Sequence, residues 1–232
     1  MKKWAFLLTL LGLFSANMNA QKNDRVLYRQ NWDQKTMFLG YYLGLNKKSY
    51  KINYSTFGKS AIEVKSNMGF DVGIIGDLRL HKNINLRLEP GISSNTKELY
   101  FTHIPGGGND SIRSVNSTYL RLPLLVKLST DRYHNVRPYI LGGISYDYNF
   151  SSNENSSSDN QTGEFRSRSH NASYEIGFGI DLYLPYFILS PSIRGVFSIN
   201  DELVPDADPN SPWTRDINFL GTEGVFIKFA FH

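Results

Sequence analysis

The chain contains no cysteine. That excludes a disulfide scaffold, thiol catalysis, cysteine-ligated zinc, iron–sulfur clusters and a cysteine-linked lipid anchor. Charge is scarce as well, at 20% of the 232 residues. The 25 Lys and Arg against 21 Asp and Glu leave a net +4 spread along the chain, so no basic stripe marks a nucleic-acid partner. Long apolar runs are missing after the first 20 residues, and mean hydropathy is −0.34. No helix that could span hydrocarbon is therefore expected in the body of the chain. A Gly-x-Ser-x-Gly elbow and a His-Glu-x-x-His helix are both absent, and no cofactor motif or small-molecule site is read. What the sequence does hold is 14 Tyr, 15 Phe and 19 Gly. Aromatic, glycine-rich and weakly charged is a composition that bacterial outer-membrane β-barrels share.

The amino terminus carries an export signal. Met1-Lys2-Lys3 is positive, Trp4 to Phe14 is apolar apart from Thr9 and Gly12, and Ser15 to Ala20 turns small and polar. This pattern predicts a signal peptide over residues 1–20, cut after Ala20. Its apolar stretch of about 11 residues falls short of the roughly 20 that a membrane-spanning helix needs. Residues 21–35 then read as a periplasmic N-terminal segment, and residues 36–232 as one all-β domain.

From Thr36 onward apolar residues recur with period two, the pattern of strands with two unlike faces. Phe70, Val72, Ile74, Leu78 and Leu80 alternate with polar or small residues, as do Ile84, Leu86 and Leu88. The same holds for Leu120 to Leu128, Ile140 to Tyr148, Tyr174 to Leu182, Phe187 to Phe197 and Val225 to Phe231. With Met37 to Leu45, apolar on both faces, these make eight strands. The connections alternate between short turns, near His81 to Asn83, Thr130 to Asn135 and Leu184 to Tyr186, and long polar loops at about 47–66, 103–116, 151–170 and 200–216. Short periplasmic turns and long external loops belong to an eight-stranded antiparallel up-and-down transmembrane barrel.

A soluble lipocalin-like barrel has eight strands too, with its apolar face inside. Three features favour the membrane barrel. The polar face carries Asp71, Asp77, Glu89, Asp147, Glu175 and Asp181 against Arg79, Arg87, Arg121, Lys127, Arg137, Arg194 and Lys228, a near balance suited to a packed lumen. Aromatics fall near strand ends (Tyr41, Tyr100, Phe101, Tyr119, Tyr146, Tyr148, Tyr174, Tyr186 and Phe187), where interfacial girdles belong. The last strand sets Thr222, Gly224, Ile227, Phe229 and Phe231 in an order that resembles the signal read by the barrel-insertion machinery, with His232 added after the final aromatic. Outer-membrane lipid and that machinery are the partners these features imply.

Candidate chemistry is thin. His103, His170, Asp110 and Ser111 are base, acid and nucleophile types on external loops, but loops commonly carry such residues. Gly106-Gly107-Gly108 precedes neither a helix nor a Lys-Ser/Thr pair and reads as a loop tip. Asp201, Glu202, Asp206 and Asp208 miss the spacing of a calcium loop. The segment 200–216 stands apart from the other loops: Pro205, Pro209 and Pro212 restrict it, the acids suit local turns, and Trp213 is an interface-anchor type. It reads as a docking loop, with Trp213 alternatively a girdle residue at the membrane interface.

Tyr119-Leu120-Arg121-Leu122-Pro123-Leu124-Leu125 with Lys127, then Arg137-Pro138-Tyr139 and Gly142-Gly143, resembles the bacteroidete outer-membrane β-barrel superfamily. Ser190-Pro191-Ser192-Ile193-Arg194-Gly195, Asn200-Asp201-Glu202-Leu203 and Asp208-Pro209-Asn210-Ser211-Pro212-Trp213-Thr214 are similar to the PorT family, also called SprT. The resemblance runs from about Phe38 to the end. It implies a non-enzymatic outer-membrane protein needed for type IX secretion and gliding motility, with other secretion components as partners. It carries no catalytic residues. A small barrel enzyme and a generic adhesion or envelope-stabilising barrel are the other readings.

Overall fold

The computed structural model describes residues 26–55, 62–102, 111–154, 165–206, 208 and 210–232. The expected signal peptide, the Gly106-Gly107-Gly108 tip, His103, Asp110 and Pro209 lie outside the described residues. Ten strands follow a short 3-10 turn at Gln30–Gln34: β1 Met37–Tyr54, β2 Ile62–Ser66, β3 Met68–His81, β4 Ile84–Leu88, β5 Gly91–Phe101, β6 Ile112–Ser129, β7 Val136–Asn149, β8 His170–Tyr183, β9 Ile188–Ser198 and β10 Ile217–Phe231. All neighbours pair antiparallel, and β1 closes the sheet by pairing with both β10 and β3.

The expected count of eight strands is corrected to ten, because two of the eight staves of the barrel are each made of two strands. β4 and β5 both lie between β3 and β6, and their registers continue across Glu89-Pro90 without a slip. Pro90 has no N–H to give a ladder, and that alone divides the stave. β2 and β3 both pair with β5, but the register slips by one residue at Asn67, a bulge. β5 escapes the periodicity because Ser93 to Glu98 is polar on both faces, and β2 because its alternation, Ile62 and Val64 against Glu63 and Lys65, spans only five residues.

The two faces settle which barrel this is. Leu39, Ile74 and Ile176 are each more than 60% exposed on the outer wall, at 69%, 63% and 62%, while Arg87 and Glu89 are 0% exposed in the lumen. An outer wall so apolar is stable only in an apolar solvent, which is the bilayer. On that wall Tyr41 stacks on Phe231 at 5.1 Å and Tyr174 on Phe197 at 5.2 Å. Phe101 and Tyr119, expected in the girdle, point inward instead, at 1% and 3% exposure. Of the C-terminal signal residues, Ile227, Phe229 and Phe231 share the outward parity, and Thr222 and Gly224 take the inward one.

Beyond the apolar band the pattern reverses. Lys51 and Asn53 of β1 and Ser114 and Asn116 of β6 face outward, whereas Tyr50, Leu99 and Val115 are buried inside. Most of the expected loop at 47–66, and residues 112–116 of the one at 103–116, are thus strand, a wall standing beyond the apolar band on the long-loop side. Here β1 above Lys47 pairs with β10 alone and β2 with β5 alone among the described residues.

Because the chain has no cysteine, single introduced thiols report topology without background. Lys51→Cys and Asp208→Cys should react with an impermeant maleimide on intact cells, and Lys82→Cys only after the outer membrane is opened. Labelling at Lys82 in intact cells would invert the orientation.

Candidate functional site

Alternation along each strand brings the expected polar-face charges into the lumen, where eight of them form a continuous ion-pair chain from Asp77 to Asp147 and Lys127 with Asp181 makes a separate pair. Asp77 accepts two hydrogen bonds from Arg87, at 2.8 and 2.6 Å, and one from Asn85 at 2.6 Å. Arg87 also lies 3.6 Å from Glu89. Glu89 is the hub: both its oxygens accept from Arg194, at 2.6 and 2.8 Å, and Lys228 donates to it at 3.2 Å. Arg194 continues to Glu175 at 3.8 Å, and Arg121 joins Glu175 at 2.5 Å to Asp147 at 3.0 Å. Lys127 and Asp181 pair at 2.7 and 2.9 Å, with Ser190 also donating to Asp181. Asp71 accepts a longer bond from Asn46, at 3.4 Å.

Aromatic rings fill the remaining space and sit under the cations. Lys228 lies 4.2 Å from the Tyr42 centroid, Lys127 4.1 Å from Tyr139 and Arg121 4.5 Å from Phe226. Tyr42 crosses the lumen because Gly73 and Gly91 face it: a Cβ on either would lie 2.7 or 2.1 Å from its ring or hydroxyl.

Arg79 and Arg137 do not join that chain. They line the short-turn mouth with Arg132, and all three converge on Asp33 of the N-terminal segment, at 3.8, 3.1 and 3.3 Å. The Tyr183 hydroxyl donates to Asp33 at 3.0 Å. Asn135 holds the same segment through Tyr28 N, at 3.0 Å, and Val26 O, at 2.9 Å. Residues 26–36 are therefore a strap across the short-turn mouth.

The opposite mouth is closed by apolar contact. Tyr50, Leu99, Phe101, Val115, Phe165, Leu203, Ile217 and Leu220 form one buried cluster, with Ile52, Ile62, Val64 and Trp213 packed against it. Phe165 and Leu203 come from the two longest connections, which meet at a Ser167–Leu203 bridge. Three buried charges that the sequence reading did not place, Lys48, Lys97 and Arg113, belong to this end, together with Glu202 of the expected docking loop. Lys97 lies 3.5 Å from the Tyr50 centroid and donates to Thr222 at 3.2 Å. Continuing the period-two count of β1 past Leu45 would have put Lys48 and Tyr50 inside.

The 200–216 segment folds into this mouth instead of standing clear of it. Glu202 accepts from Thr222 N and Oγ1 at 2.8 and 2.7 Å, and Asp201 from Leu203 N and Leu220 N at 3.1 and 2.9 Å. Asp206 accepts from Ser211 and Thr214. Trp213 is half-buried on the apolar cluster with the Arg113 guanidinium 5.0 Å away, so it is not a girdle residue in lipid. Asp208 and Pro212 remain exposed. Among the described residues no three histidines and carboxylates come together as a metal site. His170 stands on the outer wall, 2.5 Å from the Tyr146 hydroxyl.

An eight-stave barrel with a lipid-facing wall, a charge-packed lumen and loops long at one rim and short at the other is a small integral outer-membrane barrel. Residues 19–204 match the family described as outer membrane protein beta-barrel domain, and the chain belongs to that family. Three solved barrels are similar to it. OprG of Pseudomonas aeruginosa shares 11% identity over 83% of this chain and 95% of its own, with a TM-score of 0.46. Neisserial surface protein A shares 11% over 84% and 98%, at 0.44, and AlkL in lipid bilayers 13% over 93% and 94%, at 0.39. No curated protein matches the chain.

Two predictions follow from the lumen and its rim. Glu89→Gln strands Arg194, Lys228 and Arg87, and breaking such a buried set typically costs about 3–5 kcal/mol; urea unfolding of the detergent-solubilised barrel measures it, and a loss below 1 kcal/mol would refute the hub. The second concerns His232, just beyond β10, whose imidazole is pushed down to about 4 by burial and by the charges of Arg87 and Lys127. Between about pH 6.5 and 4 the unfolded chain takes up a proton that the folded chain refuses, so stability falls as pH falls. At pH 5 the loss is about 2 kcal/mol relative to pH 8, and His232→Gln should remove it.

Proposed function

We propose that this barrel is a non-enzymatic outer-membrane component of type IX protein secretion and of gliding motility, acting through protein contacts at its two rims. In this reading residues 1–20 are removed on export, the insertion machinery recognises the last strand, and the working partners are other secretion components. The observation that carries it is a lumen packed with its own side chains and stoppered at both ends. Among the described residues the lumen leaves room for little more than water, which favours the rims as the working surfaces. The similarity of Ser190 to Gly195 and Asp208 to Thr214 to the PorT family supplies the process.

Cells lacking the protein should fail to secrete many unrelated cargo proteins and should stop gliding. Ser111→Ala and His170→Ala should restore both, whereas an enzyme using those residues would not be restored. The purified barrel should give no steady conductance in planar bilayers. Normal secretion without the protein would overturn the secretion role, and a stable ion-selective channel would overturn the closed lumen.

A further inference from the structure

We propose that the periplasmic mouth is a receptor for an acidic peptide of a partner protein, and that Asp33 of the strap occupies it in cis. The inference deepens the proposed function and rests on that reading in one respect, that the barrel works by touching other proteins.

The wall builds the receptor. Arg79 projects from the inner face of β3, Arg137 from that of β7, and Arg132 from the β6–β7 turn. Their side chains are 15%, 8% and 10% exposed, while the Asp33 side chain they hold is 27% exposed. Tyr183 supports them from β8: the Arg132 guanidinium lies 3.7 Å from its ring centroid, and Arg137 reaches its hydroxyl at 3.4 Å. A pre-built fork of arginines with a phenol beside it is what recognises carboxylate oxygens.

The occupant fits the site less completely than the site allows. Among the described residues one carboxylate, Asp33, meets all three guanidiniums. The Nε atoms of Arg79 and Arg137 are buried with no hydrogen-bond acceptor there. Such donors carry a desolvation cost that a further carboxylate oxygen would relieve. The turn that bears Asp33 buries no residue fully, and its aromatic contact with the barrel is the stacking of Trp32 on Phe38.

Position selects a peptide over a lipid phosphate. Arg79 and Arg137 lie on the lumen side of the wall, and their neighbours Leu78, Leu80, Val136 and Pro138 face the outside. A lipid headgroup stays on that outer side, whereas a peptide in the periplasm reaches the mouth along the barrel axis. The cis occupant also shows the form of a fitting ligand, a carboxylate next to an aromatic: Trp32 stacks on Phe38 at 5.1 Å beside Asp33.

The test uses the full-length exported barrel in detergent and a fluorescent, end-capped Gly-Trp-Asp-Asp-Gly peptide, read by anisotropy, with the Gly-Trp-Asn-Asn-Gly analogue as control. Asp33→Asn removes the cis competitor and should raise affinity for the acidic peptide about tenfold or more. Adding Arg79→Gln and Arg137→Gln should abolish that binding while the unboiled band still migrates as a folded barrel. Equal affinity in the parent and in Asp33→Asn overturns the proposal and needs no arginine variant to fold. So does displacement of the peptide by millimolar inorganic phosphate or by anionic phospholipid vesicles, since either would mark a general anion site. Failure of peptide binding while secretion still depends on the barrel sinks this inference alone. Peptide binding in a barrel whose loss leaves secretion normal sinks the proposed function and leaves the receptor standing.

Discussion

Burying charge in a space with room for only a few waters is the constraint on which the rest of this barrel depends. A barrel of eight staves has a lumen just wide enough for its own side chains. Filling it with ions is tolerable only if each has a partner, since the desolvation cost of an unpaired ion is several kcal/mol. Glu89 meets that condition for three cations at once, and it stands where Pro90 interrupts the ladder, between strands that both neighbours already hold in register. The return on so costly an interior is register. A strand apolar on both faces could slip by one residue without penalty, but here a slip would drive Arg87 or Arg194 into lipid, at about 2–4 kcal/mol each near the midplane.

The same strands serve two solvents in turn. Along β1, Leu39, Tyr41, Leu43 and Leu45 face hydrocarbon and Tyr42 and Asn46 face the charged lumen; past Lys47 and Lys48 the outer residues are polar and the inner ones, Tyr50 and Ile52, apolar. Period two is kept throughout, and only the sign of the hydrophobic face changes. Outside the bilayer the wall obeys the ordinary rule for proteins in water, so its interior collapses around Leu99, Phe101 and Leu220 as a small soluble core. That core anchors the 200–216 segment, and it explains why three prolines and five acids there yield a folded plug rather than an open arm.

Much of this was legible before any coordinates. Where hydrocarbon and lumen make opposite demands, the alternation names the strand, its face and its parity, which is how Asp71 through Lys228 could be assigned to one surface. Pairing was not legible, because Arg194 could meet Glu89, Asp181 or Glu175 until the stagger of the staves was known. β5 was invisible for a different reason. Ser93, Asn95 and Lys97 point in and Ser94, Thr96 and Glu98 point out, so both faces are polar and no contrast remains to read. Trp213 was ambiguous because an aromatic beside prolines suits a girdle, a docking site or a core equally well. Only the apolar cluster that receives it decides among them.

The two mouths are closed by forces of different character, and this bears on which of them can work. At the outer end eight buried side chains pack together, each contributing about 1.5–3 kcal/mol of apolar burial, none of it weakened by salt. Opening that end means unfolding a core. At the short-turn end a strap with no fully buried residue in its turn is held by the partly exposed Asp33 carboxylate, by Asn135 on Tyr28 and Val26, and by one ring contact, Trp32 on Phe38, and the ionic share of that closure is screened by salt. A closed barrel that must respond to another molecule can do so cheaply only at the end whose closure is electrostatic and local. The asymmetry therefore favours the short-turn mouth as the receptor we propose, because there the arginines are built into the wall and the group covering them is not.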